Sequence, residues 1–325
     1  MYNQTTKKEI KMLDLVSFKD EFISQCRNTL GEYGPEDMRI EERMVNKAQR
    51  GTLNGLLFIK EGTNCAPTLY VEDYYKEYMR GAGIKALSHF AVTTVAESMN
   101  MADSLAEKAS DLAGNSSDLV VHLLNKSRNK DYLKGVPAKD AGCDFKLIVY
   151  LECGEFGAVV TEELLKSMDV DKEELFCKAI ENTQKKYPAM LCDLAESAII
   201  LQKECDNLLE SMSKLAPADS GPGYVLSNTS FYWGAGALFY PGVIERVHER
   251  LDGEFYVIPS SVHELILVAA EDQDPQQMVE MIREANRTVV DEMDILANDL
   301  YICESGKLRR VSYGGIIPEC GEIPC

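Results

Sequence analysis

The sequence predicts an α+β fold, with short mixed or antiparallel sheets, interspersed helices and two subdomains. Three observations lead there. Apolar or alternating runs of strand length are interleaved with longer stretches of 3.6-residue periodicity. No internal repeat of fixed period is visible, which excludes solenoids and propellers. The 325 residues suit one large domain or two modest ones. We divide the chain into a helix-rich α+β subdomain at 1–137, a second α+β subdomain at 138–312 and a flexible tail at 313–325.

Each element has a local reason. Over 13–31, Leu13, Val16, Phe18, Phe22, Ile23 and Leu30 share a broad apolar side, which predicts a helix. Strands are expected at 38–46 and 55–60, around Gly51 and Asn54-Gly55. Thr68 reads as an N-cap. Behind it Val71, Tyr74, Tyr75 and Tyr78 fall at helical spacing, and Gly81 marks the stop. A long helix over 85–110 is broken by Gly114 to Asp118, and Val120 to Leu124 form a short apolar element. Pro137 to Gly142 reads as a connector. Phe145, Leu147, Val149 and Leu151 alternate along a strand at 144–152, and a shorter strand covers 157–160.

Asp171 and Glu174 have capping-box spacing ahead of a helix carrying Leu175, Phe176, Ala179 and Ile180. A further helix is expected at 191–215, and Ala216 to Gly223 reads as a linker. In the last hundred residues, strands are expected near 224–227, 233–239, 255–258, 264–269, 299–303 and 307–311. Helices are expected at 241–251 and 274–290. The latter opens with Asp274 as cap, Pro275 at the first helical position and Gln277 at the third.

Composition narrows function by exclusion. Apolar types make up 45% and charged types 27%, an ordinary globular mix that excludes collagen-like, mucin-like and wholly disordered chains. Thirty-four basic against fifty-three acidic residues leave a charge of −19. That surplus argues against direct binding to a nucleic-acid backbone, which needs Lys and Arg. No apolar run of signal-peptide length follows Lys7 and Lys8, and no stretch is long enough to span a bilayer, so no membrane partner is expected. None of the ten cysteines forms a C-x-x-C pair, and Cys177 and Cys205 sit in apolar periodic stretches. The expectation is a cytoplasmic protein with reduced thiols. Cys320 and Cys325, in a Gly- and Pro-containing tail, lack two further metal ligands nearby.

Tyr256-Val-Ile-Pro-Ser-Ser-Val-His-Glu-Leu-Ile-Leu267 resembles the signature of an uncharacterised bacterial family, the domain of unknown function 5688. Ala66 to Tyr75 resembles its early motif, and Asn125 to Pro137 its Asn-rich segment ending in Val-Pro. Glu181-Asn-Thr183 with Pro188, Tyr224 to Asn228, Gly234-Ala235 and Tyr240-Pro-Gly242 also fit. The likeness spans roughly residues 15–312. The chain departs from the family's Val-Asn at Ala285-Asn286, and from its Leu-Ser-Asp at Leu296-Ala297-Asn298-Asp299. The family is met mainly in anaerobic Gram-positive bacteria, so the resemblance implies a bacterial protein in an accessory or mobile-element setting. It implies no activity.

Ser260, Ser261, His263 and Glu264 put a nucleophile, a base and an acid within five residues. In a strand, Ser261 and His263 would share a face with Cα atoms roughly 6–7 Å apart, and Glu264 would point away. That is poor geometry for a triad, and no Gly-x-Ser-x-Gly elbow surrounds it. The expectation is a turn: Pro259 ends one strand, His263-Glu264 begin the next, and His263 bonds a carbonyl or a neighbouring acid.

Metal and nucleotide motifs are weak. Neither His248-Glu249 nor His263-Glu264 has a second His four residues on, and His89 and His122 stand alone. Gly81-Ala82-Gly83 follows a helix, whereas a dinucleotide fingerprint follows a strand. Gly234 to Ala237 reads as a run of small residues permitting close packing. Ser305-Gly306-Lys307 sits where a hairpin turn is expected. Tyr70, Tyr74 and Tyr78, spaced by four, could bind a partner or pack helix against sheet. The basic patches at Lys126 to Lys130 and Lys307 to Arg310 read as solvated turns.

The expected function is that of a non-enzymatic accessory protein that binds another protein, without cofactor or metal. Candidate binding residues are Ser260, Ser261, His263, Glu264, Tyr70 and Tyr74. Two alternatives stand beside it. One is a hydrolase or ligand-binding enzyme using Ser261, His263 and Glu264. The other is an acidic nucleic-acid mimic, which needs its carboxylates in a stripe.

Overall fold

The computed structural model describes residues 12–34, 37–62, 66–110, 116–153, 156–167, 170–194, 223–271, 273–312 and 315–316. Over these the protein is α+β, with helices beside three antiparallel sheets. The chain divides into two compact units, one formed by 1–46 and 52–107, the other by 47–51 and 108–325.

The first unit is led by α1 (Leu15–Tyr33), where the Asp14 carboxylate caps the helix by accepting from Ser17 N at 2.8 Å. Its buried side, Phe18, Phe22, Ile23, Cys26 and Leu30, keeps the 3.6-residue period. A small sheet follows, in the order β1 (Met38–Lys47), β2 (Gly51–Lys60), β3 (Thr68–Tyr70). Then come α2 (Val71–Met79) and α3 (Ile84–Ser110). Thr68 is not the expected N-cap. It pairs with Leu57 in β3, because the open edge of β2 offers backbone bonds that a β-branched residue takes readily. Tyr70 holds the cap position, and its side chain does not cap the helix. The tyrosine stripe packs helix on helix: Tyr74 lies 4.8 Å from Phe22, and Tyr78 lies 4.9 Å from Phe18. The Tyr78 hydroxyl accepts from Leu13 N at 3.0 Å.

The second unit holds two sheets. In the smaller, β6 (Phe145–Cys153) is paired along one side by β4 (Leu119–Asn125), and also pairs β5 (Ala138–Asp140) and β7 (Phe156–Val159). The stretch read as a connector after Pro137 therefore contains a strand. After α4 (Glu162–Ser167) comes α5 (Lys172–Lys186), capped by Asp171 accepting from Glu173 N and Glu174 N. Thr183 ties α5 to β4, its hydroxyl accepting from Val121 N at 2.8 Å and donating to Ala179 O at 2.6 Å.

The larger sheet draws on β8 (Ala189–Asp193), β9 (Tyr224–Asn228), β10 (Phe255–Ile258), β11 (Leu265–Ala269), β12 (Leu300–Glu304), β13 (Lys307–Ser312) and β14 (Gly315–Ile316). Among the described residues its order is β14-β13-β12-β10-β11-β9-β8. Helices α6 (Val243–Arg250) and α7 (Pro275–Thr288) complete the unit. Asp274 caps α7 by accepting from Gln276 N and Gln277 N, with Pro275 in the first turn as its spacing predicts.

Three expectations are corrected here. Residues 191–193 are not helical: Pro188 stops α5, and Ala189 to Asp193 pair with Asn228 to Tyr224. Residues 195–215 of the expected helix, and 216–222 of the expected linker, lie outside the described residues. The run at 233–239 is a 3-10 helix, Gly234–Phe239, buried throughout. Close approach at Gly234 selects that geometry, since a Cβ there would meet His263 O at 2.6 Å and Asn228 N at 2.7 Å. Ser305 and Gly306 both have positive φ (49° and 74°) and form the two-residue turn between β12 and β13. Cys26, Cys177 and Cys303 are free thiols, but Cys143 is disulfide-bonded, so the expectation of reduced thiols fails there.

Candidate functional site

The turn joining β10 to β11 carries the Ser/His/Glu cluster. The last ladder pair is Ile258 with Ile266, and residues 259–264 leave the sheet. His263 and Glu264 thus precede β11 and do not begin it. Backbone bonds close the turn: Ser261 N donates to Glu264 O at 3.1 Å, and Val262 N to Asp294 O at 2.8 Å.

The side chains split into separate pairs. The Ser260 hydroxyl donates to Glu264 Oε1 at 3.0 Å. The Ser261 hydroxyl, buried, accepts from His263 N at 2.9 Å. On the imidazole, Nδ1 accepts from Trp233 N at 3.2 Å, while Nε2 faces Asp294 Oδ1 at 3.3 Å. A backbone N–H can only donate, so the neutral ring carries its proton on Nε2 and donates it to Asp294. The acid beside His263 is therefore Asp294, thirty-one residues on, and not Glu264. Among the described hydrogen bonds none joins a serine hydroxyl to either ring nitrogen, the contact a serine nucleophile needs from its base. Asp294 is held from behind, since the next carbonyl, Ile295 O, accepts from Gln49 Nε2 at 2.7 Å. Gln49 is itself clamped by Asn129, whose Oδ1 accepts from Gln49 N at 2.7 Å and whose Nδ2 donates to Gln49 Oε1 at 2.6 Å.

Against this turn lies the loop from Asn228 to Gly234, which sequence reasoning passed over. Buried Asn228 shapes it: Oδ1 accepts from Ser230 N at 3.0 Å, and Nδ2 donates to Tyr232 O at 3.1 Å. Phe231 and Trp233 both have φ of 53°. For bulky side chains that left-handed geometry costs about 1–3 kcal/mol each, and it recurs at ligand clamps. Trp233 turns inward and stacks on His122 at 4.5 Å, and Tyr150 stacks on His122 at 4.7 Å. Tyr232 stacks on His263 at 5.3 Å yet is 62% exposed, and Phe231 is 38% exposed. Three successive aromatics, including the single tryptophan, between a strand and a glycine were the signal available.

His122 is the most perturbed base of this region. Burial penalises its charged form and pushes its pKa down to about 3. Its Nδ1 has no hydrogen-bond partner among the described residues. On the other side of the turn, Ser260 lines an open groove of about 310 Å3 between α7 and the β10–β11 face.

The remaining sequence candidates lie elsewhere. Tyr70 and Tyr74 belong to the first unit, and Tyr74 is pressed on Phe22. His89 packs edge-on against Tyr33. Among the described residues no three His, Cys, Asp or Glu side chains gather as a metal would require, and no helix is long and apolar enough to cross a membrane.

Residues 19–305 match the model of a family of unknown function (DUF5688). No curated protein and no solved structure matches the chain.

Proposed function

The chain belongs to the DUF5688 family of unknown function, and from that premise we propose that it is a non-enzymatic accessory protein that works by binding another protein. The observation that carries this reading is the Phe231–Trp233 loop. Two bulky residues are kept in left-handed backbone so that Phe231 and Tyr232 face solvent, while Trp233 and His263 brace them from below. Strain of that size persists where surrounding structure over-determines it, and exposed aromatics suit a protein interface.

The hydrolase reading draws no support from the hydrogen bonds at the turn, which join Ser261 to the His263 backbone, the His263 ring to Trp233 N and Asp294, and Glu264 to Ser260. Nor does a specific observation favour mimicry of nucleic acid. Glu152, Glu173 and Asp140 are each paired with a lysine, which interrupts a continuous acidic surface. The reading includes a cytoplasmic location. The free thiols of Cys26, Cys177 and Cys303 support it, and the Cys143 disulfide weighs the other way.

The test is quantitative affinity capture from the native cell with the wild type and a Phe231→Ala/Tyr232→Ala double variant. The expected result is one partner recovered in stoichiometric amount by the wild type and lost by the variant, with Trp233 emission unchanged. Equal recovery by both proteins, or no stoichiometric partner, contradicts the reading.

A further inference from the structure

The groove beside Ser260 has a chemical character of its own. Its walls are Ile258, Ile266 and Val268 from the sheet and Met278, Met281 and Ile282 from α7. It opens to solvent, for Met281 is 59% exposed. Two methionines give the helix wall a surface that can re-pack around a guest.

The polar atoms on its lining are mostly spent as donors. Ser260 gives its proton to Glu264 Oε1 and shows the groove only lone pairs. Both amide hydrogens of Asn286 are taken, by Ala297 O and Asn298 Oδ1, which leaves its carbonyl oxygen. The chain around α7 adds negative charge: Glu271 and Asp274 precede it, Asp291, Glu292 and Asp294 follow it, and neither segment contains Lys or Arg. α7 itself is neutral, Glu280 and Glu284 balancing Arg283 and Arg287, and Arg287 is paired with Glu284. Such a site favours a guest that brings donors and positive charge.

Backbone geometry says what form the guest takes. Strands β10 and β11 lie inside the sheet, flanked by β12 and β9, so they have no free edge for an added strand. An extended peptide laid across their face would leave its own backbone unsatisfied, whereas a helix satisfies its own. The lining residues of α7 run from Met278 to Asn286, a length of about 12 Å or roughly two turns at helical rise.

We propose that this groove docks a cationic amphipathic helix of a protein partner, with apolar residues at i, i+3, i+4 and i+7 in the groove and Lys or Arg toward Glu264 and the flanking carboxylates. The proposal rests on the protein-binding reading above and gives the partner's chemistry. Its test does not require the native partner or the Phe231 loop. The probe is a fluorescent eighteen-residue synthetic helix with leucine at those positions and lysine elsewhere, read by polarisation against the full chain. Its control is the same helix with glutamate for lysine.

The expected result is one-to-one, salt-sensitive binding at least tenfold tighter for the lysine helix. Met281→Lys and, separately, Ala285→Phe should each weaken it at least tenfold, with unchanged melting. Phe231→Ala/Tyr232→Ala should leave it unaltered, so a failed capture with intact peptide binding would sink the loop reading and spare the groove. Equal affinity for the two helices, or unchanged binding in both groove variants, overturns the proposal. So does displacement of the helix by dodecylamine with no charge preference among peptides. A photo-crosslinking residue at position 281 separates the other occupants. A crosslink to the probe helix supports the proposal, and one to residues 195–222 of the same chain or to a second copy overturns it.

Discussion

Replacing His122 by phenylalanine should remove much of the protein's sensitivity to mild acid. The ring stacks on Tyr150 and on Trp233, and burial lowers its pKa from 6.5 to about 3. The folded state therefore keeps the imidazole neutral, while the unfolded chain takes up a proton below about pH 6.5. The stabilisation linked to the neutral ring is complete above that pH and is lost as the pH falls toward 3. At about 1.4 kcal/mol per unit, the wild type should lose about 2 kcal/mol at pH 5 that a His122→Phe variant retains. The full range down to the folded pKa corresponds to roughly 5 kcal/mol. Phenylalanine also keeps an aromatic ring in the stack and removes the unpartnered Nδ1, so at pH 7.5 the variant should be at least as stable. Urea unfolding followed by Trp233 emission at pH 7.5 and 5.0 gives all four values. If the two proteins lose stability in parallel between those pH values, His122 is not held neutral in the fold and the reasoning fails.

Gly234→Ala should cost about 1–3 kcal/mol, because the added Cβ meets the backbone at His263 and Asn228. A red shift in Trp233 emission should accompany it, and an unshifted spectrum with full stability would count against the packing described. Ser261→Ala should cost about 1–2 kcal/mol through loss of the acceptor for His263 N, measured by thermal melting. Any ester or amide hydrolysis by the wild type that this variant abolishes would restore the enzyme reading. Phe231→Gly should raise stability by up to about 1 kcal/mol, by relieving left-handed backbone, and should weaken partner capture. A variant that is both less stable and fully competent in capture would contradict the assigned role of the strain.

Local features were readable in the sequence, and distant ones were not. Asp171 and Asp274 announced their helices because a cap needs only the next three residues. The alternation at Phe145 to Leu151 and the turn at Ser305-Gly306 are equally local. Leu191 to Asp193 read as helix because a short apolar run does not disclose its pairing partner thirty-one or more residues away in β9. The Gly234 to Ala237 run read as strand because its close approach to His263 belongs to tertiary structure. At the site, no spacing rule links His263 to Asp294, or Trp233 to His122. Several stretches that carry the family resemblance form turns and ties. Asn125 closes a turn onto Ser127 and Arg128, Asn182 bonds Leu119 O, and Gly242 adopts φ of 80° before α6.

The central claim is that the Ser260–Glu264 segment braces a binding loop and performs no chemistry, and the protonation of the His263 ring tests it most directly. Two-bond proton–nitrogen correlation spectra of histidine-labelled protein, assigned by a His263→Gln variant, report which nitrogen holds the proton. The account predicts a proton on Nε2 facing Asp294 and an acceptor Nδ1 facing Trp233 N. A proton on Nδ1 with a free, basic Nε2 would contradict it.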